Sequence, residues 1–320
     1  MQLIEATKEE LEKWDHMIEN SVNGTIYHQR LFLSYHGKKF DNQEQFLVFK
    51  KKNKIIALLS LLDKKDAIVS PFGASYGGVV FLERPTFSIS SEVSILLKSF
   101  LTSNRADKMT LTFPTSACDK VPLGTFYYCL LQVGFNQSSH DISSTVHLQQ
   151  AFDTDDILNT RARRMVRKAV SLGVSLQNNA SLDLAWPLLV KSLEKHNVAP
   201  THSYDELSEL LKKFPNKISF HIASIGSEPL GGICEFDITD KVRCSFYIFQ
   251  NNEKREYQAL SLVISDALKR AKNEKFDYFD FGTSTQKGLP HPSIFEFKEG
   301  FGANGYFRKS FTLDNTNHDT

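Results

Sequence analysis

Cysteine is scarce in this chain. Four are spread over 320 residues, at Cys118, Cys129, Cys234 and Cys244, with no C-x-x-C pair and no zinc-like spacing to histidine. That pattern excludes a disulfide framework and fits free thiols in a reducing cytoplasm. A surplus of one charge is also missing, since 38 basic and 37 acidic residues leave a formal net charge of +1. No global field recruits DNA or an acidic membrane, so any affinity for phosphate has to come from local clusters. The most apolar patch, Ile55–Leu62, is far too short to span a bilayer. The opening MQLIEATKEELEKWD has no apolar signal core, and Asn23-Gly24-Thr25 therefore reads as a turn and not as a glycosylation site. No G-x-S-x-G, Walker loop or G-x-G-x-x-G occurs, and no histidine spacing suits a metal. Serine hydrolases, P-loop NTPases, nicotinamide enzymes and metalloenzymes are all disfavoured.

What the chain does have is phenylalanine, 25 residues of it, in segments that alternate like half-buried strands. The first helix is expected over Lys8 to Glu19, with Thr7 as N-cap and Glu10 completing a capping box. Strands are expected at Gln45–Lys50, Lys54–Asp63, Ala67–Pro71 and Gly77–Phe81, a helix over Ser91–Ser103, and a strand at Lys108–Phe113. The second half repeats the order. A basic helix over Leu158–Ser171 and helices at Leu182–His196 and Tyr204–Phe214 precede strands at Lys217–Ser224, Pro229–Ile238 and Lys241–Phe249. A helix at Gln258–Lys272, a strand at Phe276–Phe281, a short helix at Ile294–Glu299 and a last strand at Tyr306–Leu313 follow. Each half is a three-stranded meander, a crossover helix and a further strand. We read this as a duplicated α/β unit, with domains at 1–152 and 153–320.

Four stretches can carry chemistry. In TRARRMVRKAVSLGV, Arg161, Arg163, Arg164, Arg167 and Lys168 crowd three helical turns with no interleaved acid. Such a face suits phosphate, unless Asp153, Asp155 and Asp156 balance it as an ordinary solvated surface. In IVSPFGASYGGVVF, glycines around Tyr76 and Gly77 allow either close approach to a ligand or a plain bulged hairpin. The junction QNNEKREYQAL feeds a strand into a helix N-terminus, a natural anion seat, but it holds no glycine. In YFDFGTSTQKGLPHPSIFEFKEGFGANGYF, Asp280 ends a strand and Lys298 sits in a short helix. Lys298 there serves either as an oxyanion donor or as a cation at a helix C-terminus.

RARRMVRKAVSLGV (161–174), EPLGG (228–232), FDYFDFGT (276–283) and FKEGFGA (297–303), with WDHMIENSVNGTIYH (14–28) and YGG (76–78), resemble the GNAT acetyltransferase superfamily. Within it they look most like the Fem-type aminoacyl transferases and the acyltransferases of bacterial polysaccharide clusters. The resemblance implies two tandem GNAT-like domains, with the acceptor held between them and the acyl donor on the second. It assigns the donor seat to Phe249, Arg255, Tyr257, Gln258 and Ala259. It assigns acceptor contacts to Tyr76, Gly77, Arg164, Arg167 and Lys168, and a catalytic role to Lys298. Tyr247, Asp280 and Glu235 are the candidate bases, with the substrate itself as the alternative proton carrier. The implied activity is transfer from acyl-CoA to an amine of a sugar or cell-envelope precursor, including a nucleotide-linked one. Aminoacyl-tRNA is the alternative donor, and an inactive GNAT-fold binding protein is the reading from another class.

Overall fold

The computed structural model describes residues 1–195, 197–286 and 288–315. His196, expected at the end of a helix, and residues 316–320 of the expected C-terminal domain lie outside them. The chain opens with β1 (Gln2–Glu5), α1 (Lys8–Glu12) and α2 (Trp14–Glu19). The capping box at Thr7 and Glu10 forms, with the Glu10 carboxylate accepting the Thr7 N–H at 2.9 Å. The expected single helix breaks at Lys13, which caps both pieces. The break lets Trp14 turn inward, where its indole N–H reaches the His28 carbonyl.

There follow α3 (Arg30–Leu33), β2 (Glu44–Lys51), β3 (Lys54–Asp63), β4 (Ala67–Ser70), β5 (Val80–Phe81), α4 (Phe87–Asn104), β6 (Lys108–Thr112), α5 (Gly124–Gln132) and β7 (Asn136–His147). The second half runs α6 (Thr154–Ile157), α7 (Thr160–Ser171), β8 (Ser175–Ala180), α8 (Leu182–Glu194), α9 (Tyr204–Lys213), β9 (Ile218–Ile225), β10 (Glu228–Asp237), β11 (Val242–Gln250), α10 (Ala259–Asn273) and β12 (Tyr278–Thr283). It ends with β13 (Thr285–Gln286), β14 (Leu289–Pro290), α11 (Pro292–Glu299) and β15 (Asn304–Asp314).

Two compact units result. Unit 1 is Met1–Ile142 with the described residues from Tyr306 on, and unit 2 is Ser143–Gly305. Both follow one plan. In unit 1, β2, β3 and β4 form an antiparallel meander, α4 crosses over, and β6 returns parallel to β4. In unit 2, β9, β10 and β11 form the meander, α10 crosses over, and β12 returns parallel to β11. The fold is thus mixed α/β, made of two tandem GNAT-like domains.

The two repeats exchange their last strands. β7 ends the first repeat, yet its residues from Ser143 pair antiparallel with β12 in unit 2. β15 ends the second repeat, yet it pairs with β6 in unit 1, where Phe311 and Leu313 join the core.

Packing explains the helices beside the candidate site. α10 buries Val263, Ile264, Ala267, Leu268 and Ala271 on one face, at i, i+1, i+4, i+5 and i+8. α7 starts at Asn159, whose side chain accepts the Ala162 N–H at 2.8 Å. It buries Ala162 and Ala169, whose short side chains let it lie close on its neighbours, and turns its cations outward.

Candidate functional site

The parallel pair of unit 2 sets the site. β11 and β12 are in register from Val242 and Tyr278 as far as Cys244 and Asp280, and beyond that no further residues pair. Strands that part at their C-terminal ends leave main-chain groups free to meet a ligand. On its other edge β11 bulges: Cys234 faces Tyr247 and Glu235 faces Ser245, so Phe246 has no partner on β10.

Lys298 reaches this place from α11. Its ammonium donates to the Gly282 and Thr283 carbonyls at 2.9 and 2.8 Å, which leaves one of its three N–H groups to spare. The side chain is nearly buried, and burial lowers its pKa to about 8 against the opposing pull of Asp280 and Cys244. Asp280 is fully buried, and its Oδ1 accepts the Ser143 hydroxyl at 2.6 Å and the Gly282 N–H at 2.8 Å. Tyr247 is buried too, which pushes its phenol up to about 12; the hydroxyl meets the backbone N–H and Nδ1 of His202 at 3.1 and 2.9 Å. Both Glu235 oxygens take the Arg270 guanidinium, at 2.8 and 2.9 Å. Every side chain proposed as a base is therefore already engaged.

A cavity of about 850 Å³ opens where the end of β11, the start of α10, α7 and α11 come together. Gln250, Arg255, Gln258 and Leu260 line it from the β11–α10 junction, Arg161 from α7, Glu296, Phe297 and Glu299 from α11, and Phe301 from just beyond it. Gln258 adopts the left-handed conformation (φ 55°) and caps α10 through its main chain alone. Its carbonyl takes the N–H groups of Ser261 and Leu262, while those of Ala259 and Leu260 have no backbone acceptor among the described residues. Free N–H groups at the positive end of a 15-residue helix, with two guanidiniums beside them, make an anion seat without any glycine. Of the expected donor residues, Arg255 and Gln258 line the cavity; Tyr257 and Ala259 join the core around α10, and Phe249 is buried against Phe220. Arg161 is the cavity cation that the Fem-type assignment passed over, and its signal was its place in the first turn of the basic helix.

Among the described residues no acid pairs with Arg161, Arg163, Arg164, Arg167 or Lys168. Asp155 pairs with Lys269 at 2.9 Å, and Asp153 caps α6. Two of the acids that were to balance the basic helix are thus spent elsewhere, and among the described residues Asp156 pairs with none of its cations, so α7 presents an uncompensated row.

Unit 1 closes the equivalent place. β4 and β6 stay in register to Ser70 and Leu111. The chain then folds back so that the Gly77 N–H donates to the Thr112 carbonyl, and the Gly78 N–H to the Ser70 hydroxyl, both at 2.8 Å. A Cβ on Gly78 (φ +86°) would stand 2.4 Å from the Phe113 ring, so only glycine fits. Tyr76 is buried against Tyr27, with the Arg308 guanidinium over its ring at 4.9 Å. Aligning the Gly-Phe pair that follows α5 with the one that follows α11 places Gln132 where unit 2 has Lys298. The open strand ends, the lysine and the cavity all belong to unit 2.

Comparison with known proteins finds a family match within unit 2 and structural likeness over the whole chain. Residues 158–299 match the family described as acetyltransferase (GNAT) domain. No curated protein matches the chain by sequence. Among solved structures, FemX is similar at 12% identity over 98% of both chains, with a TM-score of 0.70. L-PGS from Bacillus licheniformis is similar at 11% identity over 98% of this chain and 94% of its own, with a TM-score of 0.59. A tandem GNAT protein from the clavulanic acid biosynthesis pathway is similar at 12% identity over 98% of both, with a TM-score of 0.56.

Proposed function

We propose that this chain, whose residues 158–299 form an acetyltransferase-type GNAT domain, transfers an acyl group from a phosphate-bearing donor to an amine. The observation that carries the reading is the cavity at the end of β11, where the N-terminus of α10, Arg255 and Arg161 meet, in the same unit whose parallel strands β11 and β12 part after Cys244 and Asp280. The donor's phosphates lie against the Ala259 and Leu260 N–H groups, Arg255 and Arg161, and its acyl carbonyl lies at the divergence of β11 and β12. The amine attacks that carbonyl, a C–N bond forms, and the bond to the donor's sulfur or oxygen breaks. The amine gives up one proton and the leaving group gains one. Main-chain N–H groups of β11 past Cys244 and the spare Lys298 N–H stabilise the oxyanion. Because the candidate bases are engaged, the proton passes between the substrates, directly or through water.

Acyl-CoA is the first donor, and a sugar or cell-envelope precursor is the acceptor class we favour from the sequence resemblance. The uncompensated cations of α7 favour a second reading, aminoacyl-tRNA, because they continue from Arg161 at the cavity to Lys168 and offer more charge than one pyrophosphate uses.

Hydroxylamine, a small nucleophile that needs no acceptor site, tests the chemistry. The protein should form a hydroxamate from acetyl-CoA or from alanyl-tRNA, and Lys298→Met should lower the rate about 10²-fold. Hydroxamate formation no faster than in the absence of protein, with both donors, would overturn the reading.

A further inference from the structure

We infer that the acyl group arrives on the phosphopantetheine arm of an acidic acyl carrier protein, which docks on the outer face of α7 and passes its arm into the cavity of unit 2. The inference rests on the reading of that cavity as the seat of a phosphate-bearing donor, and it goes beyond the coenzyme A form of that donor.

Charge inside the cavity suits a single phosphate. Two guanidiniums line it, Arg161 and Arg255, and so do two carboxylates of α11, Glu296 and Glu299. Among the described residues neither carboxylate has a cation partner, so the charged side chains of the lining cancel. Anions are favoured only at the start of α10, where free N–H groups and the guanidiniums meet. Coenzyme A brings a diphosphate and a further phosphate on its ribose, and whatever does not fit the seat meets the carboxylates. A phosphopantetheine arm brings one phosphodiester.

Charge outside the cavity suits a macromolecule. Arg161 lines the cavity and also opens the exposed row of Arg164, Arg167 and Lys168, so row and cavity are continuous. A small donor leaves that row unused, whereas an acidic partner is steered and held by it. The row ends in aliphatic side chains, Val170 at 59% exposure and Leu172 at 40%. Val170 follows Arg167 by three residues and Leu172 follows Lys168 by four, so helical spacing puts both on the cation face. Cations flanking exposed aliphatics match a protein surface with an apolar centre and an acidic rim. An RNA backbone would use the charge and leave Val170 and Leu172 in water. On the docked arm, the thioester C–S bond breaks as the amine forms its C–N bond, and the arm's thiol takes the proton that the amine releases.

Fluorescence anisotropy of a labelled, holo fatty-acid acyl carrier protein reads docking without chemistry. Binding should weaken about fivefold or more as salt rises from about 50 to about 200 mM. Val170→Ser with Leu172→Ser should raise the Kd for the carrier about five- to tenfold and leave alanyl-tRNA binding within about twofold. Absence of carrier binding, or equal weakening of tRNA, would overturn the inference. In the hydroxamate assay, the acetylated carrier should exceed acetyl-CoA in kcat/KM by about tenfold or more. The double variant should lose that advantage through KM, while its rate with free acetyl-phosphopantetheine stays within about twofold, which also shows that it folds. Acetyl-CoA or alanyl-tRNA serving as well as the acetylated carrier would overturn the inference and leave the proposed function intact. Carrier binding without hydroxamate from any donor would defeat the proposed function and support α7 as a carrier-docking face.

Discussion

Lys298 shows how one residue couples stability to chemistry. Its ammonium sits on two carbonyls in a nearly dry place, and burial holds its pKa near 8 instead of 10.5. Between those values the unfolded chain binds more protons than the folded one, so the lysine's contribution to stability rises with pH across that window. Below pH 8 the buried charge is a standing cost of roughly 3 kcal/mol at most. Urea unfolding of wild type and Lys298→Met should show the wild type gaining on the variant from pH 8 to pH 10; parallel curves would place the ammonium in water. Lys298 was legible as a candidate because FKEGFGA places it in a short helix just before Gly300 and Gly302. Its two carbonyl partners were not, since Gly282 and Thr283 lie 16 and 15 residues away and meet it only through the fold.

Gly78 makes the same point by sterics. YGG reads as either a ligand loop or a bulge, and the sequence leaves both open because neighbours such as Phe113 and Thr112 come from another strand. Gly78→Ala combines a positive φ with a 2.4 Å contact, so a loss of about 2–4 kcal/mol is expected, read as a fall in Tm of unit 1.

Among the elements, α7 was the clearest from sequence and α5 the most obscure. Five cations in eight residues, an Asn cap and Gly173 after the end define α7 without tertiary help. α5 (Gly124–Gln132) begins without a side-chain cap and carries a run of aromatic and aliphatic residues, so its helix depends on Phe126, Cys129 and Leu130 packing into the core. β1 is only four residues long and β8 is mostly polar, and both form because a neighbouring strand edge is available to pair. The cation row of α7 gives a test of donor class. Arg164→Glu with Arg167→Glu should leave acetyl-CoA affinity within about twofold. It should weaken tRNA binding strongly and lower its salt dependence by about two charges. An equal effect on both ligands would show that the row reaches into the cavity seat.

For the whole molecule, duplication was readable because meander, helix and strand recur in one order. The exchange of final strands was not, because β7 and β15 fit either sheet by pattern alone; Phe311 and Leu313 alternate as they would beside any core. The exchange predicts that deleting residues from Tyr306 on harms the unit far away in sequence. Exchange protection should collapse in β6 and α5 of unit 1, while α10 and β11 keep theirs. The duplication also frames function, since one copy keeps its parted strands open and the other fills them with its own glycine loop.

That asymmetry is tested most directly by mapping hydrogen exchange with and without the donor that supports hydroxamate formation. Protection confined to 158–165, 250–262 and 293–301 in unit 2 is the expected result. Protection at 67–81 and 108–123 in unit 1 would contradict a single acyl-donor site in the second copy.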